Sequence, residues 1–169
     1  MKLTKLERRI LINQFEILKM LNPEENKFYE EYITILSDGY ELFYSQIEEW
    51  LSDDLPAEEC KLVIDVLDIY RAIGRYKERG GKNKEILEHH WLQFRGFDGN
   101  EETQYLGFTN FLINKQGKFQ EQVKSDEHDT DFNSHHPVLD KYKSMVSRWY
   151  ELGHHYELSE DEIKTILNS

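Results

Sequence analysis

The feature that most constrains this chain is a stripe of apolar residues between Ala57 and Tyr76. Val63, Ile64, Leu67, Tyr70, Ile73 and Tyr76 recur at helical spacing, and Ala57, Cys60 and Val66 widen the stripe. That spacing places the side chains on one face of an α-helix. A half-buried strand needs apolar residues at every second position, and no such run is long enough here for a convincing sheet. Ser52–Pro56 supplies a stop and a start: Asp54 is the expected N-cap, and its acidic neighbours suit the positive end of the helix. Gly80–Gly81 supplies the exit. The expectation is an all-α chain organised around one long central helix.

The other segments read as helices around it. Thr4 and Glu7 have the spacing of a capping box, and Leu6, Ile10, Leu11, Phe15, Leu18 and Leu21 follow at helical steps. Asn22 and Pro23 open a second helix, with Glu25 completing a second box and Gly39 as its C-terminal cap. Further helices are expected over residues 40–51 and 82–94. Asp98 caps another that runs to about Ile113, with Glu101 and Glu102 in its first turn and Gly107 inviting a close helix approach. Pro137 opens the next, which Gly153 ends. Ser159 and Glu162 form a last capping box, with Leu158 and Ile163 as its hydrophobic staple. The sum is seven to nine helices in one compact domain over residues 1–169. Two helical lobes are expected to divide near residues 78–83, and a polar loop over 120–136 is anchored by Phe132.

Composition narrows the function. With 38% apolar residues in 169, there is enough material for a core without staples. The lone Cys60 excludes an intrachain disulfide and reads as a small buried hydrophobe. No stretch approaches the length of a membrane span and no signal peptide is visible, so a cytoplasmic location without membrane contact is expected. The net charge of −12 disfavours phosphate backbones. The charge is unevenly spread: five basic residues against two acids lie before Asn22, and twelve acids against two lysines lie between Glu24 and Lys61.

Chemistry-bearing residues are plentiful but carry few motifs. His89–His90, His128, His135–His136 and His154–His155, with Asp129 and Asp131, invite a metal reading. Adjacent histidines on a helix point about 100° apart, however, and neither HExxH nor a zinc-spaced Cys/His cluster occurs. No metal or cofactor is therefore expected. Paired carboxylates follow from an acidic composition. Asp65 and Asp68 are more telling: they interrupt the central stripe at i and i+3, with Arg71 and Arg75 downstream, as ion pairs or a buried polar cluster. No phosphate-cradling glycine loop and no nucleophile elbow appear. Lys5, Arg8 and Arg9 offer a basic helix face for nucleic acid. Phe97, Tyr105 and Phe108 lean first toward packing in the core and second toward an aromatic surface for protein recognition.

Four strings extend this reading: LTKLERRILINQFEILKMLNP at the start, CKLVIDVLDIYRAI, GFDGNEETQYLGFTNF, and the closing PVLDKYKSMVSRWYELGHHYELSEDEIKTILN. In this order they resemble the YfbU family of small helical bacterial proteins. The resemblance implies an all-helical fold and brings no catalytic set with it. The function expected is a non-enzymatic protein-interaction or regulatory module, a homo-oligomer with a further protein partner. The alternatives are a nucleic-acid-associated factor using the first helix, or a hydrolase or metal protein whose His/Asp/Glu site is assembled by the fold.

Overall fold

The computed structural model describes residues 2–123 and 131–169. Among them the chain forms seven α-helices: α1 Lys5–Leu21, α2 Asn26–Asp38, α3 Ala57–Glu78, α4 Lys84–Leu87, α5 Thr103–Asn110, α6 Leu139–Glu151 and α7 Glu160–Leu167. Short 3-10 turns cover Pro23–Glu25, Glu41–Ile47 and Gln120–Gln122, and a π-turn over Phe111–Lys115 continues α5. Extended pairing among the described residues is limited to one parallel bridge between Phe97 and Asn133. The fold is all-α, as expected.

The chain divides into two compact units, Met1–Asp54 and Leu55–Ser169. In the N-terminal unit α1 and α2 form an antiparallel hairpin. The capping box at Thr4 is present, with Glu7 N–H donating to Thr4 Oγ1 and Thr4 N–H to Glu7. The inner face of α1, with Leu11, Ile12 and Phe15, packs on a small core of Ile35, Leu36 and Tyr44. Phe15 also stacks on Tyr32, their ring centroids 5.3 Å apart.

The C-terminal unit holds the large core. Nine residues of α3 are buried. Leu67, Ile69 and Ile73 meet Tyr142, Met145 and Trp149 of α6, and Ile163, Ile166 and Leu167 of α7. Each such side chain contributes roughly 1.5–3 kcal/mol by leaving water. Cys60 is half-buried, its thiol 3.6 Å from the Leu55 carbonyl.

Several elements depart from the expectations. The division falls after Asp54, not near residues 78–83. Gly80–Gly81 does end α3, but the chain folds straight back: Gly81 lies against the Tyr76 ring, Asn83 N–H donates to Tyr76 Oη at 3.2 Å, and Ile86 enters the same core. The glycine pair is a tight turn within one core. Asn22 makes no cap. It reaches Tyr29, whose hydroxyl donates to Glu25 at 2.7 Å, so Glu25 serves that contact instead of a second box. The segment after Gly39 is a 3-10 turn, and the helix expected over 82–94 stops after one turn at Leu87. Both have too few core-facing residues to sustain a longer helix. Pro56, not Asp54, stands at the α3 N-cap. Part of the polar loop, residues 124–130, lies outside the described residues.

Candidate interaction surface and polar cluster

The first candidate is the outer face of α1. None of its seventeen residues is buried. Leu6, Ile10, Ile17 and Met20 are 70%, 50%, 48% and 74% exposed. Together with Asn13 they fall at separations of four, three, four and three. That is the spacing of a heptad seam, with Asn13 as its one polar position. Leu42, Trp50 and Leu51 in the same unit are also largely exposed.

The basic residues of α1 are divided. Arg8 is half-buried, and its guanidinium donates to the Leu36 carbonyl at 3.0 Å, capping the C-terminal end of α2. Lys19 pairs with Glu30 at 3.1 Å. Lys5 and Arg9 are exposed. Arg9 directly precedes the seam residue Ile10, so its charge borders apolar surface.

The second candidate is a polar cluster where α3 meets the end of α6. Asp65 is only 6% exposed, and its carboxylate accepts from Lys61 Nζ at 2.6 and 2.8 Å and from Tyr150 Oη at 3.0 Å. Lys61 also donates to Tyr150, and the Asp65 carboxylate raises the Lys61 pKa above the ordinary lysine value. One turn on, Asp68 accepts from Tyr156 at 3.1 Å and from Arg71 at 3.2 Å, and Arg71 Nε reaches Glu121 at 2.6 Å. His154 adopts a left-handed backbone conformation, φ 51°. Its ring lies 4.1 Å from that of Trp149 and stacks on Tyr150 at 4.4 Å. Its Nε2 is buried without a hydrogen bond, 3.9 Å from Asp65.

This cluster collects the residues of a His–carboxylate pair and holds them apart. Asp65 accepts three hydrogen bonds from Lys61 and Tyr150, and its 3.9 Å separation from His154 exceeds hydrogen-bond reach. The sequence pointed to Asp65, Asp68 and Arg71. It named His154 only among the histidines that invite a metal reading, and it did not point to Tyr150 or to Tyr156. Lys61, at i−4 from Asp65, was legible as a helix pair.

The aromatic string Gly96–Phe108 builds framework. Gly96 has φ 82°, and a Cβ there would lie 1.6 Å from the Phe132 carbonyl oxygen. This close approach lets Phe97 N–H donate to Phe132 and Ser134 N–H to Phe97, at 2.9 and 3.1 Å. Phe97, a candidate for a recognition surface, is fully buried, since the bridge holds its backbone and turns its ring inward. Tyr105 and Phe108 are half-buried against the same core. Burial and a 2.7 Å hydrogen bond to Glu59 push the Tyr105 pKa up to about 12. Asp98 accepts from the amides of Asn100 and Glu101, so the helix proper begins later, at Thr103. Glu102 is buried and accepts from the amides of Asp98, Val138 and Leu139 at 2.7–2.9 Å, tying the α5 start to the α6 start. Gly107 faces open space and permits no close helix contact.

The histidines are dispersed. His89 lies 3.3 Å from Asn168, His90 contacts Arg95, and His155 lies 3.0 Å from Glu162. His135 and His136 are exposed. His128 and Asp129 fall outside the described residues. Among the described residues, no three His, Cys, Asp or Glu side chains gather as a metal ion would require. Likewise among them, no helix is long and apolar enough to cross a membrane.

UPF0304 protein MJECS11 of Methanocaldococcus jannaschii is 43% identical over 169 residues, covering 99% of each chain. UPF0304 protein PM1500 of Pasteurella multocida is 32% identical over 169 residues, covering all of both chains. The YfbU domain matches residues 1–169, so the chain belongs to the YfbU family.

Proposed function

We propose that this protein is a non-enzymatic interaction module whose N-terminal unit pairs with a second copy through α1. The observation that carries this is the exposed heptad seam on a helix that buries none of its residues. An antiparallel arrangement suits the sequence. Leu6 would face Ile17 of the partner subunit, and Asn13 would lie beside Ile10 of the partner subunit with its amide left open to water. Arg9 would then lie beside Glu16 of the partner subunit, and the opposed helix dipoles attract. Exposed aromatic and aliphatic residues beyond the seam, Trp50 and Leu51 among them, leave surface for a further protein partner.

A nucleic-acid role draws less support. Arg8 and Lys19 are committed to contacts within the unit, leaving few cations for phosphate. An enzymatic role draws less still, because the His154–Asp65 pair stands 3.9 Å apart and, among the described residues, no three His, Cys, Asp or Glu side chains gather as a metal ion would require.

Analytical ultracentrifugation of the native chain and of Leu6→Glu/Ile17→Glu tests the proposal. The native protein is expected to sediment as a dimer, and the variant as a monomer of unchanged helical content. A native monomer, or a variant that stays dimeric, overturns it. A monomer destabilised by the double substitution would place the seam against another part of its own chain.

A further inference from the structure

The C-terminal unit contains a cleft of about 880 Å³ beside the second half of α3. Ile73, Leu92, Phe94 and Val123 give it an apolar wall. Its floor is Gly74. A glycine inside a long helix costs about 1 kcal/mol relative to alanine, and such a cost usually serves a turn or a close approach. Here it serves neither. A Cβ on Gly74 would meet nothing within 4 Å. What the missing side chain provides is open space at the bottom of the cleft.

The charges around that floor are unequal. Arg71 is neutralised by Asp68 and Glu121. Arg75 and Lys77, on either side of Gly74 around the helix, make no ion pair among the described residues. The Arg75 guanidinium lies over the Tyr156 ring at 5.2 Å, which orients it without neutralising it. The surrounding protein desolvates the Lys77 ammonium and lowers its pKa below the ordinary lysine value. Two cations without an ion-pair partner among the described residues, beside one cleft, stand out in a chain of net charge −12. Glu78 on the same rim opposes a polyanion and favours a ligand with one anionic head.

We propose that this cleft binds a small amphipathic anion, its carboxylate or phosphate head between Arg75 and Lys77 and its apolar body against Phe94, Leu92 and Ile73. The size is that of a ligand pocket, and the lining is divided between an apolar side, Ile73, Leu92, Phe94 and Val123, and a polar side that carries Arg75 and Lys77. Binding here is independent of pairing through α1.

Calorimetric titration of the full chain with phenyl phosphate, phenylacetate, benzyl alcohol and inorganic phosphate tests it. At least one of the two aromatic anions is expected to bind roughly tenfold or more tightly than benzyl alcohol and inorganic phosphate. Whichever aromatic anion binds more tightly identifies the head group as phosphate or carboxylate. Gly74→Leu should fill the floor and abolish binding while the thermal midpoint holds or rises. Arg75→Gln and Lys77→Gln should each weaken binding by roughly tenfold. The proposal fails if neither anion exceeds both controls, or if Gly74→Leu binds as the native chain does. Should that variant not fold, unchanged affinity in Arg75→Gln and Lys77→Gln overturns it equally.

Discussion

Helices α1 and α3 have the same kind of amphipathic sequence and opposite fates. α3 buries nine of its 22 residues and α1 none of its 17. Periodicity decides that both are helices. The amount of partner surface decides whether the apolar face is satisfied. α3 lies among α5, α6 and α7, whose side chains close over it. α1 belongs to a unit with a three-residue buried cluster at its centre. That cluster covers one face and leaves the seam in water. Small units bury a smaller fraction of their surface than large ones, and this unit has apolar side chains left over for another molecule.

The largest effect expected from this contrast comes from a matched pair of truncations. Ile69→Ala removes a fully buried side chain and should cost about 2–5 kcal/mol. Ile17→Ala, on the exposed seam, should change the stability of the dissociated chain by no more than about 0.5 kcal/mol. Urea unfolding at low protein concentration measures both, and equal costs would break the comparison. A second pair uses the left-handed glycines. Gly96→Ala forces a Cβ into the Phe132 carbonyl and should cost well over ~1 kcal/mol. Gly39→Ala meets only the movable tip of Arg8 and should cost about 1 kcal/mol from its backbone conformation.

The smallest effects concern the two capping boxes. Thr4→Ala and Ser159→Ala should each cost about 1 kcal/mol, read as loss of helical circular dichroism or a lowered melting temperature. The Ser159 backbone amide and hydroxyl, then His155, hold the Glu162 carboxyl down at about 2. A carboxyl depressed by folding stabilises at pH above its unfolded pKa, and that stability is lost as pH falls through the folded value. The contribution of Glu162 is therefore full above about pH 4.5 and fades toward pH 2. Glu162→Gln should flatten that part of the acid limb. An unchanged acid limb would show that the box carries no linked stability.

The sequence was most legible where signals are local. Thr4–Glu7 and Ser159–Glu162 announced real helix starts, and the stripe from Val63 to Tyr76 announced the central helix. Legibility failed where tertiary contact outweighed local preference. Asn22 looks like a cap but serves Tyr29, and Gly80–Gly81 looks like a linker but turns beneath Tyr76. The polar cluster was half legible. Asp65, Asp68 and Arg71 share a helix face, whereas Tyr150 and Tyr156 arrive from more than eighty positions away. The lone seam was illegible for a simple reason: an exposed apolar stripe and a buried one are written in the same letters. Phe97 shows the converse case: a conspicuous aromatic is more often a packing residue than a recognition residue, and here it packs.

The bridge between Phe97 and Asn133 sets what this chain can tolerate in later variation. It ties off the excursion from Asp98 to Asp131 at its neck, with Gly96 admitting the neighbouring backbone. Once the ends of an excursion are held, lengthening it is inexpensive: a doubling adds only about 0.6 kcal/mol of closure entropy. The hold on Phe97 therefore depends on the neck and not on the number of residues that the excursion contains.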